Sequence, residues 1–389
     1  MGATMTRREI LKAGLTAASL AAMGLPVVSL PALAQGETMV PFTDIPDSMN
    51  FTVDPNSPTR FLDIRTIDSP FTAKDKFFAV QHLGQPDVDL STHRLKISGL
   101  VNKPMELSLD EIRKRPSMQM AVGFECSGNG PRRIEGLASN GMWTGTRLRD
   151  LLLAAGVKPD GKEVVFFGAD HGEESVPFRG QTFKVDQRFG RSITIDNAMK
   201  PDPFLAYALN GDPLTKHQGS PLRLIMPGWY GVCNVKWLSQ IHIQDTRFVG
   251  NYQARMYLTL RSENIGGQEV WKETEVTHLQ LKSVIARVTK SGNQYIVRGF
   301  VLNDGTPLKS VEVSVDNGPW RPAALDKSNT QYSWKLFSYN WEGATPGEHT
   351  LVSRVTDVNG RVQPTAEELE KTKKTFLEDN GQFPRRVRV

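Results

Sequence analysis

The C-terminal part of the chain alternates hydrophobic and polar residues with a period of two, as half-buried β-strands do. Turns containing Gly, Pro or Asn separate the alternating runs at a spacing typical of a β-sandwich. The runs are Val284–Val288, Gln294–Phe300, Val311–Val315, Tyr332–Phe337 and His349–Thr356. Between two of them, Asp316-Asn317-Gly318 has the composition of a tight hairpin turn. The pattern therefore predicts a β-sandwich over residues 280–365.

The central part of the chain mixes short strands with short helices. Met118–Phe124 and Lys162–Gly168 are apolar runs typical of buried strands, and Asp170 and His171 fall in a predicted turn after the second. Leu148–Ala155 has the apolar spacing of a helix and is followed by a glycine, which favours a helix end. Such a mixture predicts an α+β domain rather than a regular doubly wound sheet.

These two patterns divide the chain into a sequence of predicted domains. We expect the α+β domain to cover residues 76–260 and the sandwich domain, with a C-terminal tail, to cover residues 280–389. Residues 261–279 are predicted to form a linker. Residues 35–75 are rich in Pro, Asp, Ser and Thr and lack periodicity, so they are predicted to form an extended N-terminal arm.

The N-terminus has the features of an export signal. Thr6–Lys12 contains a twin-arginine motif, an apolar run follows over Ala13–Leu30, and Ala32-Leu33-Ala34 matches a cleavage site. The sequence predicts a twin-arginine signal peptide over residues 1–34, with an ordinary secretory signal as the alternative. Because twin-arginine machinery exports folded proteins, a cofactor could be inserted before export, and the expected location is the periplasm.

The charge and the hydropathy of the chain after removal of the predicted signal peptide argue against nucleic-acid binding and against insertion into a membrane. Its formal net charge falls from +5 to +3, and no concentrated basic patch is present, which argues against nucleic-acid binding. After the signal, no apolar run approaches the length of a membrane span, so no membrane-spanning segment is expected in the mature chain. Arg385, Arg386 and Arg388 are interpreted as part of a solvated C-terminal end.

A single cysteine, Cys126, follows the predicted strand that ends at Phe124. It stands in a turn of Ser, Gly, Asn, Gly and Pro, directly before Arg132 and Arg133. Nearby positive charge favours a thiolate, which can bind a metal or act as a nucleophile. Two alternatives remain open from the residues alone: a buried structural cysteine, or a disulfide with Cys233 in an oxidising compartment.

Several segments taken together resemble the sulfite oxidase family of molybdenum enzymes. The resemblance covers residues 75–365, and the motifs follow the order of the family. They are Phe77–His82, Cys126-Ser127-Gly128-Asn129, Trp143–Leu148, Asp170, Gly219–Arg223, Pro227-Gly228, Val235–Leu238 and Tyr257. The resemblance implies an α+β molybdopterin-binding catalytic domain followed by an immunoglobulin-like β-sandwich dimerisation domain.

The resemblance also implies a role for residues that hold the cofactor. Cys126 corresponds to the cysteine whose thiolate binds molybdenum, which leaves Cys233 as a small packing residue. The residues that correspond to pterin and phosphate contacts are Phe78, His82, Asp170, His217, Gln218, Arg223 and Lys236. Arg and Lys suit a phosphate because they are charge-assisted donors. Trp143 and Trp237 are interpreted as core residues.

On the substrate side the chain departs from the family. Tyr257 corresponds to the family's active-site tyrosine, whose hydroxyl can bind an oxyanion and assist proton transfer. Val80, however, stands where the family has a substrate-binding arginine. Losing one charge-assisted contact costs about 1.5–3 kcal/mol. Arg132 is therefore the candidate for catalytic anion binding, with Arg133, Arg60 and Arg65 as alternatives.

The expected activity is the molybdenum-dependent oxidation of sulfite to sulfate in the periplasm. The expected cofactor is molybdenum–molybdopterin, and the chain contains no C-x-x-C-H motif, so no haem is expected in it. Electrons would therefore pass to an external partner, for which we expect a c-type cytochrome. The resemblance further implies a homodimer formed by the sandwich domain.

Three alternatives to sulfite oxidation remain. Within the same class, Val80 leaves room for an enzyme that acts on protein-bound sulfane sulfur or on another S- or N-oxide. In a different class, the chain would be a non-catalytic exported binding module built on the β-sandwich, since a sandwich alone indicates no function. A thiol–disulfide enzyme is disfavoured because the chain contains no C-x-x-C motif.

Overall fold

The computed structural model describes residues 36–45, 57, 59–131 and 134–389. The predicted signal peptide and the candidates Arg132 and Arg133 lie outside the described residues. The strands are β1 Thr38–Val40, β2 Leu95–Gly99, β3 Met105–Leu107, β4 Ser117–Glu125, β5 Ala138–Arg147, β6 Glu163–Phe178, β7 Gln181–Thr194, β8 Phe204–Leu209, β9 Asp212–Pro213, β10 Arg223–Ile225, β11 Leu238–Gln244, β12 Leu258–Ile265, β13 Gln268–Glu275, β14 Lys282–Ser291, β15 Gln294–Leu302, β16 Leu308–Val315, β17 Arg321–Pro322, β18 Ala324–Leu325, β19 Lys335–Trp341, β20 Glu348–Asp357 and β21 Arg385–Arg388.

The helices are short and lie between the strands. The α-helices are α1 Leu109–Arg113, α2 Leu148–Ala155, α3 Ile195–Ala198, α4 Asn251–Ala254 and α5 Ala366–Thr372. Three 3₁₀ helices cover Ile64–Thr66, Lys216–Gln218 and Gly231–Cys233. None of the described helices is long and apolar enough to cross a membrane.

The central domain is built on two five-stranded sheets. One has the strand order β3-β2-β11-β6-β7, in which β2 and β11 are parallel, and the other has the order β10-β8-β5-β4 with β9 on β8. Both sheets, together with α1 and α2, supply residues to one hydrophobic core. Fully buried members of this core include Leu95, Ile112, Leu151, Phe166, Leu205, Leu224 and Ile241.

Helix α2 shows why these residues form the predicted element. Leu148, Leu151, Leu152 and Ala155 are fully buried and recur at the spacing of one helix face. Gly156 then adopts φ 67°, a left-handed conformation that glycine tolerates, and its N–H bonds back to the last turn. The predicted helix is therefore confirmed at both ends.

The C-terminal domain packs two sheets face to face. Their orders are β1-β14-β15-β19-β18 and β17-β16-β20-β21. The core between them is made of alternating residues from both sheets, among them Val288, Val297, Val311, Val313, Leu351, Val355 and Val387. The predicted hairpin turn is confirmed, because Asp316 and Asn317 both have positive φ, as a type I′ turn requires. The predicted α+β fold with a β-sandwich domain is confirmed.

The sandwich also uses residues from both ends of the chain. Strand β1, in the predicted N-terminal arm, pairs with β14, and β21 pairs with β20. Arg385 is only 2% exposed and forms an ion pair with Asp44 at 3.1 Å. The interpretation of Arg385 as part of a solvated end is therefore wrong, because its guanidinium pairs with Asp44 and packs over the rings of Phe42 and Phe383.

Two protruding hairpins replace the predicted turn and much of the predicted linker. Strand β6 continues past Gly168 to Phe178, and its pairing with β7 shifts register between Phe167 and His171. Asp170 therefore lies in a strand irregularity rather than in a turn, as the sequence pattern had suggested. Similarly, β12 and β13 form a hairpin that takes in most of residues 261–275. The Phe77–His82 motif forms no strand in the described residues and has a single bridge, from Ala79 to Arg60.

Candidate active site

A cavity is lined by residues from both sheets of the central domain and from the loops between their strands. Eight of the ten predicted site residues line it, and they come from segments separated by up to 179 positions. These residues are Phe78, His82, Cys126, Asp170, His217, Arg223, Lys236 and Tyr257. The fold therefore brings into one cavity residues for which the sequence motifs gave only their order along the chain.

Cys126 enters the cavity from the end of β4. Its backbone N–H donates to the Leu137 carbonyl at 2.9 Å, and the Asn129 N–H donates to the Cys126 carbonyl at 2.9 Å, which closes the turn. Cys126 and Cys233 are both present as thiols, so the disulfide alternative is wrong. Cys233 is 2% exposed, and burial raises the pKa of its thiol. It packs with its sulfur 3.2 Å from an Arg191 nitrogen.

Arg223 is the buried cation of the site. Its guanidinium lies 5.0 Å from the ring centres of both Phe124 and Trp143 and donates to the carbonyls of Gln218 and Asn234. Burial lowers the pKa of Arg223 to about 9, which leaves it charged at neutral pH. Its Nε has no hydrogen-bond partner among the described residues. Arg223 thus holds one unsatisfied donor at the cavity wall.

Lys236 supplies a second positive group, and Asp170 a buried acceptor. Lys236 Nζ donates to the Val80 carbonyl at 3.1 Å and to Gln81 Oε1 at 3.0 Å. Burial, with Arg223 nearby, lowers the pKa of Lys236 to about 7. Burial raises the pKa of Asp170 to about 6, and its Oδ1 has no partner among the described residues. The cavity therefore presents an unsatisfied donor on Arg223 and an unsatisfied acceptor on Asp170 among the described residues.

His82 and Tyr257 form a hydrogen-bonded pair, with 2.6 Å between His82 Nε2 and the tyrosine hydroxyl. The imidazole is stacked on Tyr252, with ring centres 4.9 Å apart, and packs near Phe189. Burial lowers the pKa of His82, and burial together with the Cys126 sulfur raises the pKa of Tyr257. At neutral pH both groups are therefore uncharged, the phenol keeps its proton, and the tautomer of His82 decides which of the two donates the hydrogen bond.

Two predicted residues lie outside the cavity or outside the described chain. Gln218 is buried and caps its own 3₁₀ helix, because its side chain accepts from Thr215 N and donates to the Lys74 carbonyl. Its neighbour His217 does line the cavity and contacts Gln85. Of these two neighbouring residues, both predicted as pterin contacts, the geometry favours His217 for contact with a bound group. Arg132 lies outside the described residues.

The sequence patterns missed several residues of the cavity wall. Trp237 is buried, as predicted for a core residue, and it also lines the cavity, with Lys236 Nζ 4.2 Å from its ring centre. Its φ of 47° in a non-glycine residue is a feature of a constrained site that no sequence motif displays. Phe189 and Val232 also line the wall. No sequence signal distinguishes these two residues from core residues, because each is an apolar residue within a strand or helix that has no unusual motif.

The donor set fits a metal-bearing pterin group. A thiol suits a transition metal, and two cations suit a phosphate. Asp170 Oδ1 is a buried acceptor without a partner among the described residues, which suits the N–H edge of a pterin. Gly168 keeps this carboxylate in place, because an added Cβ would lie 2.1 Å from Asp170 Oδ1. The residues present therefore match such a cofactor on several independent points.

Comparison with known proteins gives the same result. Residues 82–252 match the family model described as "Oxidoreductase molybdopterin binding domain". The chain is 34% identical over 278 residues to an NADH nitrate reductase of Volvox carteri, covering 63% of this chain and 31% of that protein. It is 29% identical over 324 residues to the mitochondrial sulfite oxidase of Homo sapiens, covering 74% of this chain and 56% of that protein.

A solved structure extends the likeness over both domains. The crystal structure of the sulfane dehydrogenase SoxCD from Paracoccus pantotrophus matches with a TM-score of 0.71 and 26% identity, covering 87% of this chain and 88% of that chain. By contrast, the chain spans only about a third of the nitrate reductases and somewhat more than half of the sulfite oxidases that it matches.

The fold and the cavity thus define a molybdopterin-binding oxidoreductase. The chain contains an oxidoreductase molybdopterin-binding domain, and its similarity to sulfite oxidases and to the sulfane dehydrogenase structure supports a molybdenum enzyme of the sulfite oxidase type. Its cofactor is the molybdenum cofactor, as the resemblance of its motifs implied. In this family assignment Cys126 is the residue that would hold the metal, while Asp170, His217, Arg223 and Lys236 line the remainder of the cavity.

Gly168→Ala should weaken cofactor binding without unfolding the protein. The new Cβ displaces the Asp170 carboxylate, and losing its hydrogen bond to the pterin edge should lower the cofactor affinity by about tenfold or more. Molybdenum per protein after gel filtration measures the effect. Gly172→Ala on the same strand is the control, since its Cβ meets only Leu83 at 3.4 Å. Equal molybdenum content in the two variants would contradict the assigned role of Asp170.

Lys236→Met should stabilise the cofactor-free protein at acidic pH. A lysine whose folded pKa is about 7 rather than the ordinary 10.5 destabilises the fold fully below pH 7, and this cost disappears as pH rises toward 10.5. Because each unit of pKa shift is worth about 1.4 kcal/mol, we expect the substitution to raise the free energy of unfolding by a few kcal/mol more at pH 6 than near pH 10. Urea denaturation at both pH values, with the exposed Lys103→Met as control, tests this. A pH-independent difference would contradict it.

Proposed function

We propose that the protein oxidises sulfite to sulfate, with the oxygen taken from water and two electrons passed to an external acceptor. The observation that carries the proposal is the arrangement of Cys126, Tyr257 and two cations around one cavity. The sulfite oxidases among its relatives support the same reaction class. Bound molybdenum cofactor would supply the oxygen-atom transfer and take up the electron pair.

The protein's own residues would bind, orient and handle protons. Cys126 would hold the metal, and Asp170 and His217 would accept or donate hydrogen bonds at the pterin edge. Arg223 and Lys236 would offset the negative charge of the phosphate, and their burial strengthens this electrostatic effect. Tyr257 would donate its O–H to an oxyanion, while the tautomer of His82 that is protonated at Nε2 would donate to the tyrosine oxygen and orient the hydroxyl.

Sulfane sulfur carried on a thiol is the second candidate substrate. Val80 lines the cavity at the position where the resemblance to the family implies an arginine, and Val232 and Phe189 add further apolar wall. Such a wall suits a less charged substrate than a dianion, because it offers no charge-assisted contact. The similar solved structure is that of a sulfane dehydrogenase, which supports the same alternative.

Location and partners are part of the proposal. The twin-arginine motif supports export to the periplasm by the twin-arginine machinery, and a c-type cytochrome there is the proposed electron acceptor. We also propose that the sandwich domain pairs two chains. Sedimentation at micromolar concentration tests the homodimer, and a monomer would remove that part of the proposal.

Purified, molybdenum-loaded protein should reduce ferricytochrome c in a sulfite-dependent reaction. The Cys126→Ser variant should lose this turnover by a factor of about 10² or more, because it lacks the soft metal ligand. The same assay with glutathione persulfide measures oxidation of sulfane sulfur. An assay with nitrate and reduced viologen measures nitrate reduction. Turnover with persulfide but not with sulfite would replace sulfite by sulfane sulfur. Turnover with nitrate alone would overturn both sulfur reactions.

Val80→Arg should lower KM for sulfite by about tenfold if sulfite is the substrate. A guanidinium at this wall position adds a charge-assisted contact to a dianion, worth about 1.5–3 kcal/mol at best. Steady-state kinetics with Val80→Leu as a size control separates charge from volume. An arginine variant with unchanged sulfite KM but poorer persulfide turnover would favour the sulfane reaction.

A further inference from the structure

A buried cluster of three charged side chains lies directly behind the thiol turn. Lys282 Nζ, from the first residue of β14, is 2.9 Å from Glu125 Oε1 and 2.6 Å from Glu135 Oε2. All three side chains are only 2% exposed. The lysine belongs to the sandwich domain, whereas both carboxylates belong to the segment that carries Cys126. One cation of the second domain thus reaches into the structure beneath the metal ligand.

The cluster is joined to the turn through Asn129. Its Nδ2 donates to Glu125 Oε1 at 3.0 Å and to the Glu135 carbonyl at 3.2 Å, while its Oδ1 accepts from Leu137 N at 2.9 Å. Glu125 is also the residue before Cys126 in the chain. The position of the thiol is therefore determined on both sides by groups that bond to Lys282 directly or through Asn129.

The backbone of the segment shows that the cluster constrains it. Ile134 and Glu135 have φ values of 45° and 61°, a left-handed conformation that side-chain-bearing residues adopt only when their surroundings hold them there. Glu135 is held by the Lys282 ammonium and by its own N–H bond to the Gly130 carbonyl. Removing the ammonium would release this conformation and leave two buried carboxylates facing each other.

We propose that Lys282 is a positioning residue for the metal ligand, so that the sandwich domain forms part of the active site rather than only packing against it. Lys282 holds the Cys126–Asn129 turn in the geometry that binds the metal and neutralises the carboxylates behind the thiolate. This inference rests on Cys126 as the molybdenum ligand and not on which sulfur compound is oxidised. It is therefore testable without substrate.

Hydrogen exchange in protein purified without cofactor tests the proposal. In Lys282→Met, backbone amides in the 124–137 peptide should exchange about tenfold faster than in the wild-type protein, because the hydrogen bonds of the turn open locally. Molybdenum retained after loading should fall by about tenfold, the usual effect of losing support for a metal ligand. The Mo(V) resonance generated with dithionite should broaden or shift, since the ligand geometry is no longer uniform.

Arg298→Met is the matched control. Arg298 and Glu37 also form a buried ion pair in the sandwich, with side chains 8% and 3% exposed. Arg298 pairs across the sheet with Arg287, which is five residues from Lys282 along β14. At the rise of a strand, five residues correspond to about 17 Å, so the control site is well separated from Lys282. We expect this variant to lose stability without faster exchange in the 124–137 peptide. Equal acceleration in both variants would show that Lys282 serves only general stability, and would overturn the proposal.

Glu125→Gln keeps the test decisive if Lys282→Met does not fold. Lys282 then still pairs with Glu135 one to one, so the buried charge is balanced while the bond from the lysine to the residue before Cys126 is weakened. We expect wild-type-like unfolding, with exchange in the 124–137 peptide faster by about threefold or more. A glutamine variant with wild-type exchange and wild-type molybdenum content would contradict a positioning role.

Discussion

The ammonium of Lys282 lies between the carboxylates of Glu125 and Glu135, where the first strand of the sandwich meets the end of β4. Charges that are buried to this extent are stable only when they are paired and hydrogen-bonded, so the two domains have to meet in one register. The aromatic and aliphatic cluster around Tyr230, Phe300 and other residues closes the same junction. The thiol turn therefore derives its rigidity from the contact between domains.

A second consequence of burial is the electrostatic character of the cavity. Arg223 and Lys236 are like charges, and the pKa values of both are lowered because water is excluded. Stacking on Phe124 and Trp143 and hydrogen bonds to backbone carbonyls offset part of this cost for Arg223. An anionic cofactor would relieve the remainder. The cavity is thus less favourable empty than filled, which is typical of a preorganised binding site.

The parts of the fold that could be predicted are those with a local cause. Helix α2 has its apolar residues at helical spacing and a glycine where it ends, and the strands of the sandwich alternate with period two. The pairing of β1 and β21 into the sandwich could not be predicted, since both are short and flanked by irregular sequence. The extension of β6 beyond Gly168 also depends on its partner strand, because exposed hairpin residues carry little hydrophobic pattern.

By itself the sequence determined the elements of both domains and the order of the motifs that identify the cofactor, because capping, periodicity and residue chemistry act over a few neighbouring positions. Only the tertiary structure decided which residues meet. The hydrogen bond between His82 and Tyr257 spans 175 positions, and that between Lys282 and Glu125 spans 157. In the tertiary structure, the Gln218 side chain bonds to the Lys74 carbonyl outside the cavity, whereas Trp237 lines the cavity. Such contacts follow from sheet register and domain packing, which depend on the whole chain at once.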